Sequence, residues 1–263
     1  MLPQFTMLDL FFAELKRSWI LLSRYATETI GGIIATTFVF YGLFLSSRYI
    51  AGPGIALGDR LDSVIVGYIL WTLMLFIMGD VAGGLQDEAR TGTLEQMFLT
   101  PYGAARVFVI RAIGSLSIQL TLNVVIVVAI MLITGSNLAF PPTLVPPFIT
   151  ALLGAYGLAF TVGSLTLVFK QVRQVQSILQ FGLLLLLAAP TETWTGSLRL
   201  VGWLMPIAPG AGLLRDVMAR GLELDGMRMA IASLNGLFYF TMGVFLFGWA
   251  ERLTKRQGRL GGY

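Results

Sequence analysis

The chain has no cysteine and no histidine, and it is poor in charged residues. Without cysteine it cannot form disulfides, iron–sulfur clusters or cysteine-ligated zinc sites. Without histidine, Ser-His-Asp and Cys-His catalysis and histidine-ligated metals are also excluded. Only 12% of the 263 residues are charged, about half the share of a typical soluble domain. This leaves too little polar surface to cover a globule, so the composition predicts an integral membrane protein.

Long uncharged segments indicate where the chain crosses the bilayer. They occupy residues 29–47, 63–79, 112–169, 174–191 and 229–250. One crossing needs about 20 apolar residues, so the long segment 112–169 is predicted to hold two helices, separated near Pro141, Pro142, Pro146 and Pro147. We therefore predict an all-α membrane protein with six transmembrane helices in a single domain, residues 1–263.

Basic residues predict the orientation of these spans. Six spans place both termini and the loops near 86–111 and 170–173 on one side of the membrane. Twelve of the 18 basic residues then lie on that side, which the positive-inside rule assigns to the cytoplasm. The same bias explains the pI of about 9.6 without a nucleic-acid partner. The inner membrane of a bacterium is the expected location.

Residues 1–28 do not fit a signal peptide, because Lys16, Arg17 and Arg24 interrupt them. Apolar residues recur instead at three- and four-residue spacing: Phe5, Leu8, Phe12, Leu15, Trp19 and Leu22. This pattern predicts an amphipathic helix lying on the cytoplasmic surface of the bilayer. An ordinary helix that anchors the first span is the alternative.

A short helix is predicted in the loop after the second span, within residues 86–101. Thr93 and Gln96 have the spacing of a capping box, and Glu95 lies in the first turn, where the helix dipole favours a negative charge. Pro101 ends the helix. Its apolar face, which is formed by Leu94, Met97 and Phe98, needs a packing surface on either this protein or a soluble partner.

This loop carries a resemblance to a known family. Glu88, the run from Thr91 to Gln96 and the pair Thr100–Pro101 resemble the E-x-x-x-G-T-L-E…P signature of ABC-2-type exporter permeases. In that family the segment is a coupling helix that docks on the ATPase subunit. The resemblance implies that coupling involves Glu88, Gly92, Thr93, Leu94, Glu95, Met97, Phe98 and Pro101. The predicted topology also matches along the whole chain.

The resemblance further implies that residues 190–228 form an external re-entrant segment that covers the translocation path. Its gate residues would be Trp194, Trp203, Pro206 and Pro209. The segment is apolar but interrupted by proline and glycine, and irregular backbone at membrane depth must be buried or line a cavity. An ordinary external loop with a surface helix is the alternative.

The chain does not carry the sequence that would bind ATP. Its three lysines, Lys16, Lys170 and Lys255, do not stand in a phosphate-binding loop of the form G-x-x-x-x-G-K-[ST]. The resemblance therefore implies that ATP and magnesium bind a separate ATPase subunit and that this chain has no catalytic residue, metal or cofactor. It also implies a second permease, either another copy or a sister chain.

Three other functions stay open. A secondary transporter driven by an ion gradient would need ionisable groups near the midplane and usually an internal repeat, and neither is evident in the predicted spans. An intramembrane enzyme would need a carboxylate pair or a Ser/Lys dyad, but the acids and Lys170 lie at predicted interfaces and loops. A membrane scaffold without a pathway would share every feature of composition.

Overall fold

The computed structural model describes residues 7–24, 26–51, 58–85, 104–169 and 172–256, and all regular structure in these ranges is helical. The α-helices are α1 Met7–Arg24, α2 Ala26–Ala51, α3 Gly58–Met78, α4 Ala104–Thr134, α5 Val145–Phe169, α6 Arg173–Ala188, α7 Ser197–Leu204, α8 Ala208–Met218 and α9 Gly226–Arg256. A π-helix, Gly79–Gly83, continues α3, and 3₁₀ turns occupy Pro142–Leu144 and Thr191–Thr193. The predicted all-α class is confirmed for the described residues.

Five helical segments are long and apolar enough to cross a membrane: 26–46, 61–83, 111–134, 142–169 and 226–254. They lie in α2, α3 with its π-helix, α4, α5 with its preceding 3₁₀ turn, and α9. Together, α7 and α8 would make a sixth, but they are bent by 99° at the break between them. The described helices are therefore those of a multi-pass membrane protein with five or six such segments.

The predicted fifth span, 174–191, is shorter than expected. Its helix α6 has 16 residues, or about 24 Å at 1.5 Å per residue, which is less than the roughly 30 Å of the hydrocarbon core. The helix ends because Pro190 disfavours helical geometry at the residue before it, and Ala189 is extended with ψ 136°. The predicted pair of helices in 112–169 is present, with Pro146 and Pro147 in the first turn of α5 rather than in the connection.

The helix α3 lies at the centre of the structure. It packs against α4, α5, α6 and α8, and its side chains Ile65, Met74 and Ile77 are fully buried. From Val64 to Met78 its sequence is almost entirely apolar, as expected of a helix that packs against several neighbours.

Glycines hold α5 and α9 close together. The two helices run parallel, and a Cβ atom on Gly157 would overlap the backbone of Tyr239. A Cβ on Gly243 would likewise overlap the backbone of Gly157. Small residues allow such close approach between membrane helices. The small-residue face of α5 is thus used for packing within the chain.

The N-terminal helix α1 packs against α4 and, more weakly, α2. It is not among the helices long and apolar enough to cross a membrane. Phe12 and Trp19 of its predicted apolar face are 64% and 48% exposed, whereas Leu15 and Leu22 are partly buried. The helix predicted within residues 1–28 is therefore present over Met7–Arg24.

Candidate functional site

The bent pair α7–α8 forms the most distinctive feature of the described structure. The bend lies at Pro206 and Ile207, where Ile207 has a left-handed backbone with φ 67°. A β-branched residue adopts this conformation only when its surroundings impose it, at a cost of about 1–3 kcal/mol. The surroundings here are tight, because the Ile207 side chain is 3% exposed and packs on the face of α5 at Gly154.

The end of α7 is held by α9. The Nδ2 group of Asn235 donates hydrogen bonds to the backbone carbonyls of Trp203 (2.9 Å) and Met205 (3.1 Å), and the Tyr239 hydroxyl donates to that of Leu204 (2.8 Å). The last carbonyls of a helix have no partner within it. These bonds therefore give the carbonyls at the end of α7 hydrogen-bond donors, and they fix the position of α7 relative to α9.

The predicted gate residues lie at this bend. Trp203 and Pro209 line a cavity of about 100 Å³ together with Glu192, Arg199 and Arg228. Arg199 stacks on Trp203, with its guanidinium carbon 4.8 Å from the ring centroid, in a cation–π arrangement. Trp194 packs beside Gly202, which also lines the cavity, and Pro206 precedes the strained Ile207.

The helix α8 carries a fully buried arginine. Arg215 is 1% exposed and donates hydrogen bonds to the Glu192 carboxylate (2.8 Å), to the backbone carbonyl of Ser63 (3.3 Å) and to that of Leu187. The guanidinium group of this one residue of α8 thus contacts the first turns of α3, the end of α6 and the 3₁₀ turn Thr191–Thr193. Its planar fork of donors suits such multiple acceptors.

Arg215 belongs to a larger group of charges, the ionic cluster of Glu192, Arg215, Asp216, Arg220 and Arg228. Arg220 bridges the two acids, at 2.9 Å from Glu192 and 2.5 Å from Asp216. Arg228 Nη1 lies 2.5 Å from Asp216 Oδ2, in an ionic contact that lacks the angle of a hydrogen bond. Both carboxylate side chains are 4% exposed, so each buried acid is neutralised by two arginines.

The charges of the ionic cluster do not cancel. Three arginines face two acids, which leaves one positive charge. Burial opposes the charge of Arg220, but its hydrogen bonds and charge interactions with Asp216 and Glu192 outweigh that effect and raise its pKa. Arg220 therefore stays charged at physiological pH.

Gly67 allows α3 to lie close to the Leu187 carbonyl and to the Arg215 side chain. A Cβ atom there would overlap the Leu187 carbonyl and lie 3.2 Å from Arg215 Nη2. Only glycine leaves room for both groups, which explains a glycine in the middle of an otherwise bulky, buried helix.

A second and larger pocket is lined by Arg215. Its volume is about 510 Å³, and its described lining consists of Ser63, Val64, Ala188, Pro190, Thr193, Arg215 and Arg220. We name it the arginine pocket. None of these lining residues is acidic. Glu192 and Asp216, which form ion pairs with the two arginines, are not among the residues that line the pocket.

Further polar contacts join α4 to α3 and to its π-helix. Asp80, in the π-helix, accepts a hydrogen bond of 2.6 Å from Ser115, and Asn123 donates to Thr72 (2.9 Å) and to the Ile69 carbonyl (3.3 Å). These bonds tie the two helices together, as expected of polar groups in a membrane helix. π-Helical turns are often found at functional sites.

The predicted coupling residues lie outside the described residues. These are Glu88, Gly92, Thr93, Leu94, Glu95, Met97, Phe98 and Pro101. The coupling helix therefore stays a prediction from sequence.

Sequence reasoning missed the ionic cluster. Its three arginines entered the sequence analysis only through the count of basic residues on each side of the membrane. The available signal was the placement of Arg215 and Asp216 within the apolar segment 208–218, because charges in apolar surroundings require partners.

Comparison with known proteins does not place the chain in a family. No protein-family model matches it, and no curated protein matches it with significance. The class that the helices themselves define is a multi-pass, all-α membrane protein.

Proposed function

We propose that the chain is the permease subunit of an ATP-binding-cassette exporter of the ABC-2 type. The observation that carries this proposal is the sequence E-x-x-x-G-T-L-E…P at residues 88–101, between the second and third long apolar helices. Both the spacing of this motif and its position in the chain resemble those of the coupling segment in such permeases. The ATPase would be a separate chain that holds ATP and magnesium.

The bent pair α7–α8 supports the same proposal. It lies within residues 190–228, where the resemblance implies a re-entrant segment, and its 99° bend is consistent with either a re-entrant loop or a broken span. Under this proposal, Trp194, Trp203, Pro206 and Pro209 form the external gate. Two permease chains together would enclose the pathway, in the inner membrane of a bacterium and with their termini in the cytoplasm.

The test is purification of the tagged chain from its native membranes in a mild detergent, followed by identification of bound subunits and an ATPase assay. We expect a stoichiometric ATPase whose hydrolysis is inhibited by vanadate. Glu95→Lys should lower both the amount of bound ATPase and its activity, because it reverses a charge on the proposed docking helix.

The matched control is Glu223→Lys, which makes the same charge change at an exposed residue after α8. It should leave ATPase binding unchanged. Recovery of intact complexes without any ATPase, or equal effects of the two variants, would refute the coupling assignment.

The ion-driven transporter remains a second candidate because of Asp80. This acid lies inside the apolar segment 61–83, in a π-helix and bonded to Ser115. If a proton gradient drives transport, Asp80→Asn should abolish it, and so should dissipating the gradient while ATP remains. An ATP-driven exporter should keep its transport when the gradient is dissipated. If no substrate moves under either energy source, the scaffold interpretation gains support.

A further inference from the structure

We propose that the arginine pocket binds the anionic head group of an amphiphile that carries a phosphate. This inference concerns a binding site that the transport proposal does not assign, and it holds whether or not an ATPase partner is found. It depends on the charge of the pocket, on its unused hydrogen-bond donors and on its position along the helices.

The charge of the arginine pocket favours an anion. Two guanidinium groups, of Arg215 and Arg220, line it, and none of the described lining residues is acidic. The ionic cluster to which they belong contains three arginines and two acids, and its third arginine, Arg228, lines the neighbouring cavity. Guanidinium groups match phosphate oxygens with paired, charge-assisted hydrogen bonds.

Donors are also available for a ligand. Arg220 has five N–H groups and makes two hydrogen bonds to the described residues, one to Asp216 and one to Glu192. Its side chain is 24% exposed, so the remaining donors are within reach of a ligand. Ser63 lines the same pocket, is 7% exposed, and its hydroxyl has no hydrogen-bond partner among the described residues. A buried hydroxyl without a partner is costly, and a phosphate oxygen would satisfy it.

The rest of the lining fits an apolar tail. Val64, Ala188 and Pro190 supply apolar atoms to the pocket, beside Thr193, and Val64 is 41% exposed. Ser63 lies two residues into the apolar segment that begins at Leu61, or about 3 Å along the axis. The pocket is therefore at the boundary between the apolar core and the head groups, where a lipid phosphate resides.

The experiment measures lipid binding to the purified full chain by native mass spectrometry. The probes are phosphatidylglycerol and diacylglycerol with the same acyl chains, because diacylglycerol lacks the phosphate. We expect the wild-type chain to prefer phosphatidylglycerol by about tenfold, which is the effect of one charge-assisted hydrogen bond of roughly 1.4 kcal/mol. A wild-type preference near one would overturn the proposal.

Three variants test where the preference arises. Arg220→Gln should reduce it to near one, whereas Arg199→Gln, which changes an arginine of the neighbouring cavity, should leave it unchanged. Because Arg220→Gln also breaks ion pairs, Ser63→Ala provides an independent test. It removes a hydroxyl that makes no bond within the described structure, so it should lower the preference several-fold without lowering the unfolding temperature. A preference unaffected by both Arg220→Gln and Ser63→Ala would overturn the assignment.

A competition experiment identifies the source of the phosphate. If glycerol 1-phosphate displaces phosphatidylglycerol, the head group alone is sufficient and a soluble phosphate ester is a ligand. If it does not, the apolar lining is required and the ligand is a membrane lipid. Displacement by glycerol 1-phosphate would therefore overturn the assignment of an amphiphile, and its failure to displace the lipid would support that assignment.

Discussion

Arg215 stands out among the individual residues because a fully buried charge is expensive. Taking an ion out of water costs several kcal/mol, and only good geometry with further hydrogen bonds offsets that cost. Arg215 meets this condition through one carboxylate and two backbone carbonyls from three different segments. We infer that the ionic cluster fixes the relative positions of α3, α6 and α8.

The first prediction concerns Glu192, the acid shared by Arg215 and Arg220. Glu192→Gln keeps the shape of the side chain but removes its charge, which leaves Arg215 buried without an ionic partner. The free energy of unfolding should fall by about 3–5 kcal/mol. The change is measured as a lower unfolding temperature, followed by tryptophan fluorescence in detergent.

Glu223→Gln is the control, because Glu223 is exposed and surface substitutions change stability by about 0.5 kcal/mol or less. Adding Arg215→Met to Glu192→Gln should cost much less than the sum of the two single changes, since both remove the same interaction. Additive effects would show that the pair is not coupled.

Among the elements, α5 and α9 pack closely because glycines face the opposing backbone, and a second prediction follows. Gly157→Leu should destabilise the protein by about 1–3 kcal/mol, the usual cost of overpacking, or prevent its accumulation. The amount of folded protein by size-exclusion chromatography and the unfolding temperature are the measurements.

Gly31→Leu in α2 is the matched control, because a Cβ on Gly31 meets no described atom within 4 Å. It should leave the stability of the single chain unchanged. If Gly31→Leu were as harmful as Gly157→Leu, the packing of α5 on α9 would not explain the effect.

The break between α7 and α8 shows how an element depends on its neighbours. Proline at 206 and 209 predicts an interruption of the helix, which is present. Proline does not predict the left-handed backbone of Ile207 or the 99° bend. Those depend on the contacts of Ile207 with α5 and on the bonds from Asn235 and Tyr239 to the end of α7.

At the scale of the whole molecule, the helices differ greatly in the fraction of each that is buried by the rest of the chain. About two thirds of the α3 segment is buried, whereas almost none of α2 is. A central helix surrounded by peripheral apolar ones is expected where lipid, rather than water, covers the outside.

The orientation of the molecule is the subject of the third prediction. The chain has no cysteine, so an introduced cysteine is its only thiol. We expect Glu223→Cys to react in intact cells with a maleimide that cannot cross membranes. Arg252→Cys, at the exposed C-terminal end of α9, should react only after the cells are permeabilised. The opposite pattern would contradict the assignment of the termini to the cytoplasm.

Composition and charge spacing alone determined that the protein is helical and has several apolar segments long enough to cross a membrane. These features are local, since apolar length and the absence of charge act within one segment. They also set the division of 112–169 into two helices and the interruption near Pro206.

The tertiary structure decided which segments contact one another. Gly67 faces Arg215 across 148 positions of sequence, and the Ser63 carbonyl and the Glu192 carboxylate both accept hydrogen bonds from the same guanidinium. Such contacts depend on the packing of whole helices, because a buried charge is stable only where distant segments supply its partners.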